Sequence, residues 1–499
     1  VSSPDGNHAF VSYVHEDTTK VDELCAVLTA AGVPYWRDRT ALGPGDAWKA
    51  KIREAIRNGS LVFLACFSDN SRAKDKSYMN EEITLAIDEF RKMPPGRTWL
   101  IPVRFDAGAV PEWDLGAGQI LSDLNYADLF GSGYTPAAVS LVTTIHGLMG
   151  QKQLGPAATL EVVEHVDEAD RADLLKRLTK DLLLDPQRRI QLDDLVAQEV
   201  HRVIAVLTDE DRVRPLAGPG EDQVVRVAEH AEELWATVEP FCASLQVAAR
   251  WGSPESLTPW TTGIKSFVAA PSAITSGSTD LTDLAHIPGL TSVMTAALAS
   301  VASGRWECLR VLLAEQSVRE KNRSTLVPLL EASHPYAPFA NEWSPQVVVR
   351  VVHTGKSQRE ALEDFTQNRL GKYYTPVADW LHHILRPLFR DQLPDQGSFD
   401  SEFDRAEVML GLISTDVIAR HYAGSPEERW RRSSWLGRSV WRSRRGHGDP
   451  LQDFAQQLSV QGARWAPLQS GLFGGDEDRA AAAMEQYRAD FDLQASHMR

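Results

Sequence analysis

The stretch Ser77 to Ile87, SYMNEEITLAI, sets Glu81 and Glu82 side by side and places Tyr78 four residues before Glu82. A carboxylate held beside an aromatic ring is a candidate catalytic group, whereas two carboxylates facing water are only surface charge. Helical periodicity separates the pair. Met79, Ile83, Ala86, Ile87 and Phe90 fall into one apolar stripe when each residue advances about 100° around the axis. Measured from Ile83, Glu81 lies about 160° away and points to water, while Glu82 lies about 100° away, at the shoulder that can face a cleft. One turn separates Tyr78 from Glu82, so ring and carboxylate can line the same patch.

The elements around this helix read as alternating strand and helix from residue 8 to about 149, the pattern of a parallel sheet covered on both faces. HAFVSYV is the first strand, VDELCAVLTAAG a helix stopped by Gly32, and VPYWRD a second strand ending at Asp38. Gly43, Pro44 and Gly45 make a loop, and Asp46 can cap a helix carrying Trp48. SLVFLACFS is a near-continuous apolar run, as expected of a central strand, and DNSRAKDK leads from it into the helix of Glu82. TWLIPVRFD and LNYADLF complete five strands, and TPAAVSLVTTIHGLM closes the unit as a helix. Ligands of such sheets bind at the carboxyl ends of the strands, which collects the segments after Tyr13, Asp38 and Ser68 on one edge. Neither GxGxxG nor GxxxxGK[ST] is present, so the edge is not explained by a Rossmann fingerprint or a P-loop.

FVSY, GVPYWRDRTALGPGDAWKAKIREAI, FLACFSDNS and SYMNEEITLAI occur in the order and spacing of a bacterial-type TIR (Toll/interleukin-1 receptor) domain, and residues 8–149 resemble that family. The resemblance implies a flavodoxin-like, parallel five-stranded sheet. TIR domains are either adaptors that work by homotypic assembly or enzymes that cleave NAD+ at the nicotinamide glycosidic bond. In the enzymes the catalytic glutamate lies on the helix after the third strand, a position that falls on Glu82. The resemblance therefore implies NAD+ as substrate, no separate cofactor, and oligomerisation through TIR–TIR contacts. Tyr78 and Trp48 are candidates to stack on a ring of the dinucleotide. Tyr13, Val14 and His15 follow the first strand, where related enzymes often carry basic or aromatic residues; here a valine holds one of those positions. Asp38 matches an acidic position of the family, Gly45 allows close backbone approach, and Ser68 can hydrogen-bond near the site. Each has a plainer reading as a loop, cap or packing residue.

Cleavage of the nicotinamide riboside bond passes through an oxocarbenium-like sugar, which a carboxylate near the ribose stabilises. Nicotinamide leaves as a neutral molecule from a pyridinium, so the leaving group needs no proton and one glutamate can suffice. The leading expectation is an NAD+ glycohydrolase acting as a triggered effector, in the manner of antiphage defence by NAD+ depletion. A cyclase that makes a cyclic ADP-ribose signal and a TIR scaffold without turnover are the alternatives.

Residues 150–158, GQKQLGPAA with its flanking glycine and proline, read as a linker, and 159–499 as a mainly α-helical domain for sensing or assembly. RADLLKRLTKDLLLDP and IQLDDLVAQEVHRVIAVL both carry helical spacing, with Pro186 between them. SGSTDLTDLAHIPG reads as a loop, and a division into two subdomains is placed near 272–290. Arg429 to Gly448 interleaves seven arginines with three tryptophans. That suits a phosphate-rich or acidic partner, or else a helix that buries Trp435 and Trp441 and pairs its arginines with carboxylates. The trigger expected at this domain is a phage protein, a nucleic acid or a nucleotide signal.

A formal net charge of −16 argues against nucleic acid as the main partner of the whole chain. Cys25, Cys66, Cys242 and Cys308 show no metal or disulfide spacing, and His382 and His383 are adjacent instead of one turn apart, so no metal site is expected. The sequence carries no run of apolar residues long enough to span a bilayer and no basic, apolar leader pattern, so a cytoplasmic location without membrane contact is expected.

Overall fold

The structure is a computed structural model that describes residues 8–37, 60–74, 76–94, 97–116, 118–131, 134–148, 168–209, 220–274, 277–319, 325–339, 341–369, 371–424 and 435–497. The expected linker at 150–158 lies outside them. The chain divides into two compact units, 1–174 and 175–499.

In the first unit β1 (His8–Ser12), β2 (Tyr35–Arg37), β3 (Ser60–Phe67), β4 (Leu100–Arg104) and β5 (Ala127–Asp128) form one sheet in the order β2-β1-β3-β4-β5. Every neighbouring pair is parallel. This is the flavodoxin-like order, with its reversal beside β1 and β3. Helices α1 (Thr18–Ala30) and α3 (Tyr134–Leu148) cover one face, packing Leu24, Leu28, Leu141 and Ile145 on Val11, Leu64 and Val103. Helix α2 (Tyr78–Phe90) covers the other, setting Met79, Ile83, Ala86 and Ile87 against Phe10, Phe63 and Ala65. Alternate residues of β1 and β3 thus feed two separate cores, which is why SLVFLACF reads as an unbroken apolar run. Gly32 takes φ +65°, the left-handed conformation that ends α1 without the strain a β-carbon would add. A short hairpin, Asp114–Gly116 with Gln119–Ile120, interrupts the β4–β5 connection; its strands are too short to leave a periodic trace in the sequence.

The second unit is mainly helical. Its helices include α4 (Glu168–Leu183), which straddles the division, α5 (Arg189–Leu207), α6 (Gly220–Trp251), α7 (Thr258–Ala269) and α8 (Ile287–Ala302). Beyond these come α9 (Trp343–Thr354), α10 (Pro376–Leu385), α11 (Gln396–His421), α12 (Arg438–Arg444) and α13 (Glu477–His497). Helix α8 is the core element, packed against α6 and α11. The loop expected over SGSTDLTDLAHIPG is not one: from Thr279 the chain is helical, and Leu281, Leu284, Ile287 and Gly289 are buried. Its glycine and proline misled the reading; Pro288 sits at the start of α8, where a missing amide hydrogen costs nothing, and Gly289 gives close approach to Val268 of α7. The stretch Thr279–Ala302 is apolar and long enough to cross a membrane by composition, yet 94% of its most apolar 18 residues are buried within the protein, as befits a core helix. All four cysteines are buried and unbridged.

The arginine- and tryptophan-rich segment is described from Trp435 onward; Arg429 to Arg432 lie outside the described residues. Trp435 is fully buried, and Trp441 donates its indole N–H to Thr375 Oγ1 at 3.0 Å. Arg438 is buried among Asp379, Asp400 and Asp404, at 3.4–3.6 Å from each, and Arg442 donates to Asp404 at 2.6 Å. Both guanidinium groups are thereby committed to carboxylates of α10 and α11.

Candidate functional site

The carboxyl ends of β1 and β3 and the start of α2 meet at one edge of the sheet. Helix α2 begins there because Ser77 caps it, its hydroxyl accepting from the Asn80 amide at 3.1 Å. That start point fixes which face each following residue takes. Tyr78, in the first turn, is 54% exposed, and the turn after it carries Glu82 inward.

Glu82 is set deeper than a shoulder position. It is only 3% exposed, and its Oε2 accepts a hydrogen bond of 2.5 Å from the hydroxyl of Ser12, the last residue of β1. Ser12 is itself fully buried. Periodicity placed Glu82 on the flank of its own helix, but the flank lies against the end of β1, and the strand closes over it. A short hydrogen bond of this kind holds the carboxylate in one rotamer.

Beside this pair opens a cavity of about 460 Å³, lined by Tyr13, Val14 and His15 after β1, by Lys74, Lys76 and Ser77 before α2, and by Tyr78, Met79 and Glu81 of α2. Tyr13, Val14, His15 and Tyr78 were named from the sequence, and the structure brings these four together. Val14 is buried, and its carbonyl accepts from the Asp17 amide at 2.9 Å, so it shapes the wall by backbone and bulk. Glu81, expected only to face water, is exposed and lines the cavity, while Glu82 lies next to it but not on its surface.

Ser68 does not reach the cavity. Its hydroxyl accepts from the Ser71 amide at 3.1 Å, capping the short helix Asp69–Arg72, and donates to Asp17. Asp17, nearly fully buried, also accepts from Asn70 Nδ2 at 2.8 Å, so Ser68, Asp17 and Asn70 tie the β3 edge to the segment after β1. Asp38, Gly45 and Trp48 lie outside the described residues.

Ser12, Lys74, Lys76, Ser77 and Met79 were not named as site residues from the sequence, Met79 being read only as part of the apolar stripe. A signal existed for the lysines: DNSRAKDK follows the central strand at its carboxyl end, where ligands of parallel sheets bind. Lys74 pairs with Glu16 at 2.6 Å, which lowers the Glu16 pKa through that hydrogen bond. Lys76 is exposed and makes no ion pair among the described residues. Two ammonium groups and an imidazole at the mouth suit a ligand bearing phosphates, and the aromatic rings of Tyr13 and Tyr78 suit a planar base. Among the described residues no three His, Cys, Asp or Glu side chains converge as metal ligands.

Residues 9–142 match the family model described as the TIR domain. No curated protein matches the chain.

Proposed function

With residues 9–142 a TIR domain, we propose that the first unit cleaves NAD+ to nicotinamide and ADP-ribose, and that Glu82 is its catalytic carboxylate. The observation that carries this reading is the buried Ser12–Glu82 hydrogen bond beside a cavity walled by tyrosines and lysines. In the reaction the bond between ribose C1′ and the nicotinamide ring nitrogen breaks, and its electron pair neutralises the pyridinium. Positive charge then develops at C1′ and its ring oxygen, where the fixed negative charge of Glu82 stabilises it. Water adds to C1′ and releases one proton. Lys76 and His15 bind the pyrophosphate, and Tyr78 stacks on a ring.

Glu82 begins out of direct contact with the cavity, so substrate must bring its ribose down between Tyr78 and the end of β1. The Ser12 hydroxyl keeps the carboxylate aimed at that point. The helical unit acts as the sensing or assembly part of a triggered effector, with NAD+ depletion as its output and antiphage defence as its setting. TIR–TIR contacts assemble the active form.

Incubating the full-length protein with NAD+ and resolving products by chromatography tests the reading. Nicotinamide and ADP-ribose from the wild type and Glu81→Ala, but not from Glu82→Ala, are expected. A cyclic product in place of ADP-ribose would show that a group of the substrate, and not water, traps the cation. Absence of turnover even under forced self-association would leave the scaffold.

A further inference from the structure

The helical unit holds a cavity of about 400 Å³, whose lining residues among those described all belong to that unit. We propose that it binds an uncharged, nucleoside-sized molecule carrying a planar heteroaromatic ring.

Size is the first argument. The volume falls in the range of small-molecule sites, whereas a folded protein partner needs a face of several hundred square ångströms. Ring surface is the second: Tyr336, Phe339, Tyr373 and Tyr374 all line the cavity. Tyr336 and Tyr374 are 53% and 46% exposed, although the unit buries most of its other large apolar side chains. Aromatic faces left open beside a concavity are stacking surfaces for a planar ligand.

Charge narrows the class. Among the described residues Lys372 and Glu342 are the only charged side chains on the lining, and they stand 3.7 Å apart, so each cancels the other. A phosphate entering here would have to compete with Glu342 for the ammonium group of Lys372, and no arginine among the described residues lines the cavity. A neutral ligand meets no such conflict. Its polar edge finds the amide of Gln494 and the hydroxyl of Tyr374, neither of which makes a hydrogen bond among the described residues; the first offers both donors and an acceptor.

The walls are preformed. Gln346 holds Tyr373 at both ends of its peptide group, donating to its carbonyl at 2.8 Å and accepting from its amide at 3.1 Å. The Tyr373 hydroxyl bonds His353 at 2.6 Å, and the Tyr336 hydroxyl donates to the Leu436 carbonyl at 2.9 Å. Gly437 completes the rear wall; a β-carbon there would stand 2.0 Å from Glu407 Oε1 and 2.7 Å from the Ala378 β-carbon, so the backbone is seated as close as it can be. Anchored aromatic walls lose little freedom when a ligand enters, which favours binding.

The test is titration calorimetry on the full-length protein with adenosine, guanosine, cytidine and uridine, and with AMP as the charged counterpart. At least one nucleoside should bind with one site per chain. Tyr374→Ala and Gln494→Leu, both at accessible positions, should each weaken it by about ten-fold, the effect of one lost stacking or hydrogen-bonding partner. Tyr78→Ala should leave it unchanged, which separates this site from the TIR cavity and makes the outcome independent of the proposed NAD+ chemistry. AMP should bind no tighter than adenosine. Absence of binding by all four nucleosides overturns the proposal, as does binding that Tyr374→Ala leaves unchanged, that disappears in Tyr78→Ala, or that tightens ten-fold on adding the phosphate.

Discussion

Glu82 in the TIR domain and Glu407 in the helical unit are both almost wholly enclosed, at 3% and 2% exposure, yet their surroundings differ in kind. Glu407 accepts from the Arg438 and Ser439 amides at 3.1 and 2.8 Å and from the Ser439 hydroxyl at 2.5 Å, so it caps the N-terminus of α12 and faces packed chain. Glu82 is held by a serine hydroxyl at the open end of a strand, with a cavity alongside. Burial alone does not distinguish a structural carboxylate from the one proposed to react. What differs is the neighbour: backbone amides of a helix end meet Glu407, whereas Glu82 accepts from a serine hydroxyl beside open space.

The comparison can be broken most sharply at the two glutamates. Glu82→Ala should cut NAD+ turnover by about 10²-fold or more while leaving the melting temperature close to wild type. Retained turnover would remove Glu82 from the chemistry. Glu407→Ala should do the reverse, lowering unfolding stability by about 3 kcal/mol, since it leaves amide donors buried without an acceptor and opens a void; denaturant unfolding of the full chain checks it, and an unchanged midpoint would make the cap dispensable. Gly437→Ala, whose new methyl meets Glu407 and Ala378, should cost about 1–3 kcal/mol by the same measurement. Ser12→Ala should slow turnover by about ten-fold by freeing the Glu82 rotamer. A rate equal to wild type would mean that the hydroxyl only fills space.

The two units can also be distinguished by pH. Burial raises the Glu407 pKa from an ordinary 4.5 to about 7, against the pull of its three donors. The folded protein therefore keeps a proton that the unfolded chain releases, and stability falls as pH rises across that window. Asp379, raised by burial from 3.8 to about 6 against the pull of Arg438, adds to the fall. His382, lowered by burial from 6.5 to about 4, opposes it, because only the unfolded chain takes up its proton between those values. In Glu407→Gln the first contribution is gone, so the stability of wild type relative to the variant should decline from pH 4.5 to 7 in paired unfolding curves. A constant difference would refute a raised Glu407 pKa.

Much of this was legible in the residues. Short apolar runs marked β1, β3 and β4, the 3.6-residue stripe marked α2, and Gly32 marked the end of α1, because each is a local consequence of side-chain direction and backbone sterics. The pairing of Arg438 and Arg442 with carboxylates was readable as one of two uses of an arginine-rich helix in an acidic chain. Other features were hidden. Gly289 looked like a loop residue and proved to be a helix contact, since its value lies in what packs against it. Lys74 and Lys76 carried no periodic pattern, so only the sheet edge reveals them as cavity walls.

The sequence by itself determined the five strands of the parallel sheet, their order in the chain and which glutamate stands nearer the core, because those follow from the pattern of one segment at a time. The tertiary structure alone decided that Ser12 meets Glu82 across 70 positions of chain, and that Tyr336, Tyr373 and Tyr374 share a cavity with Gly437 and Gln494. Such meetings depend on how strands and helices pack, and packing joins residues that no local period relates.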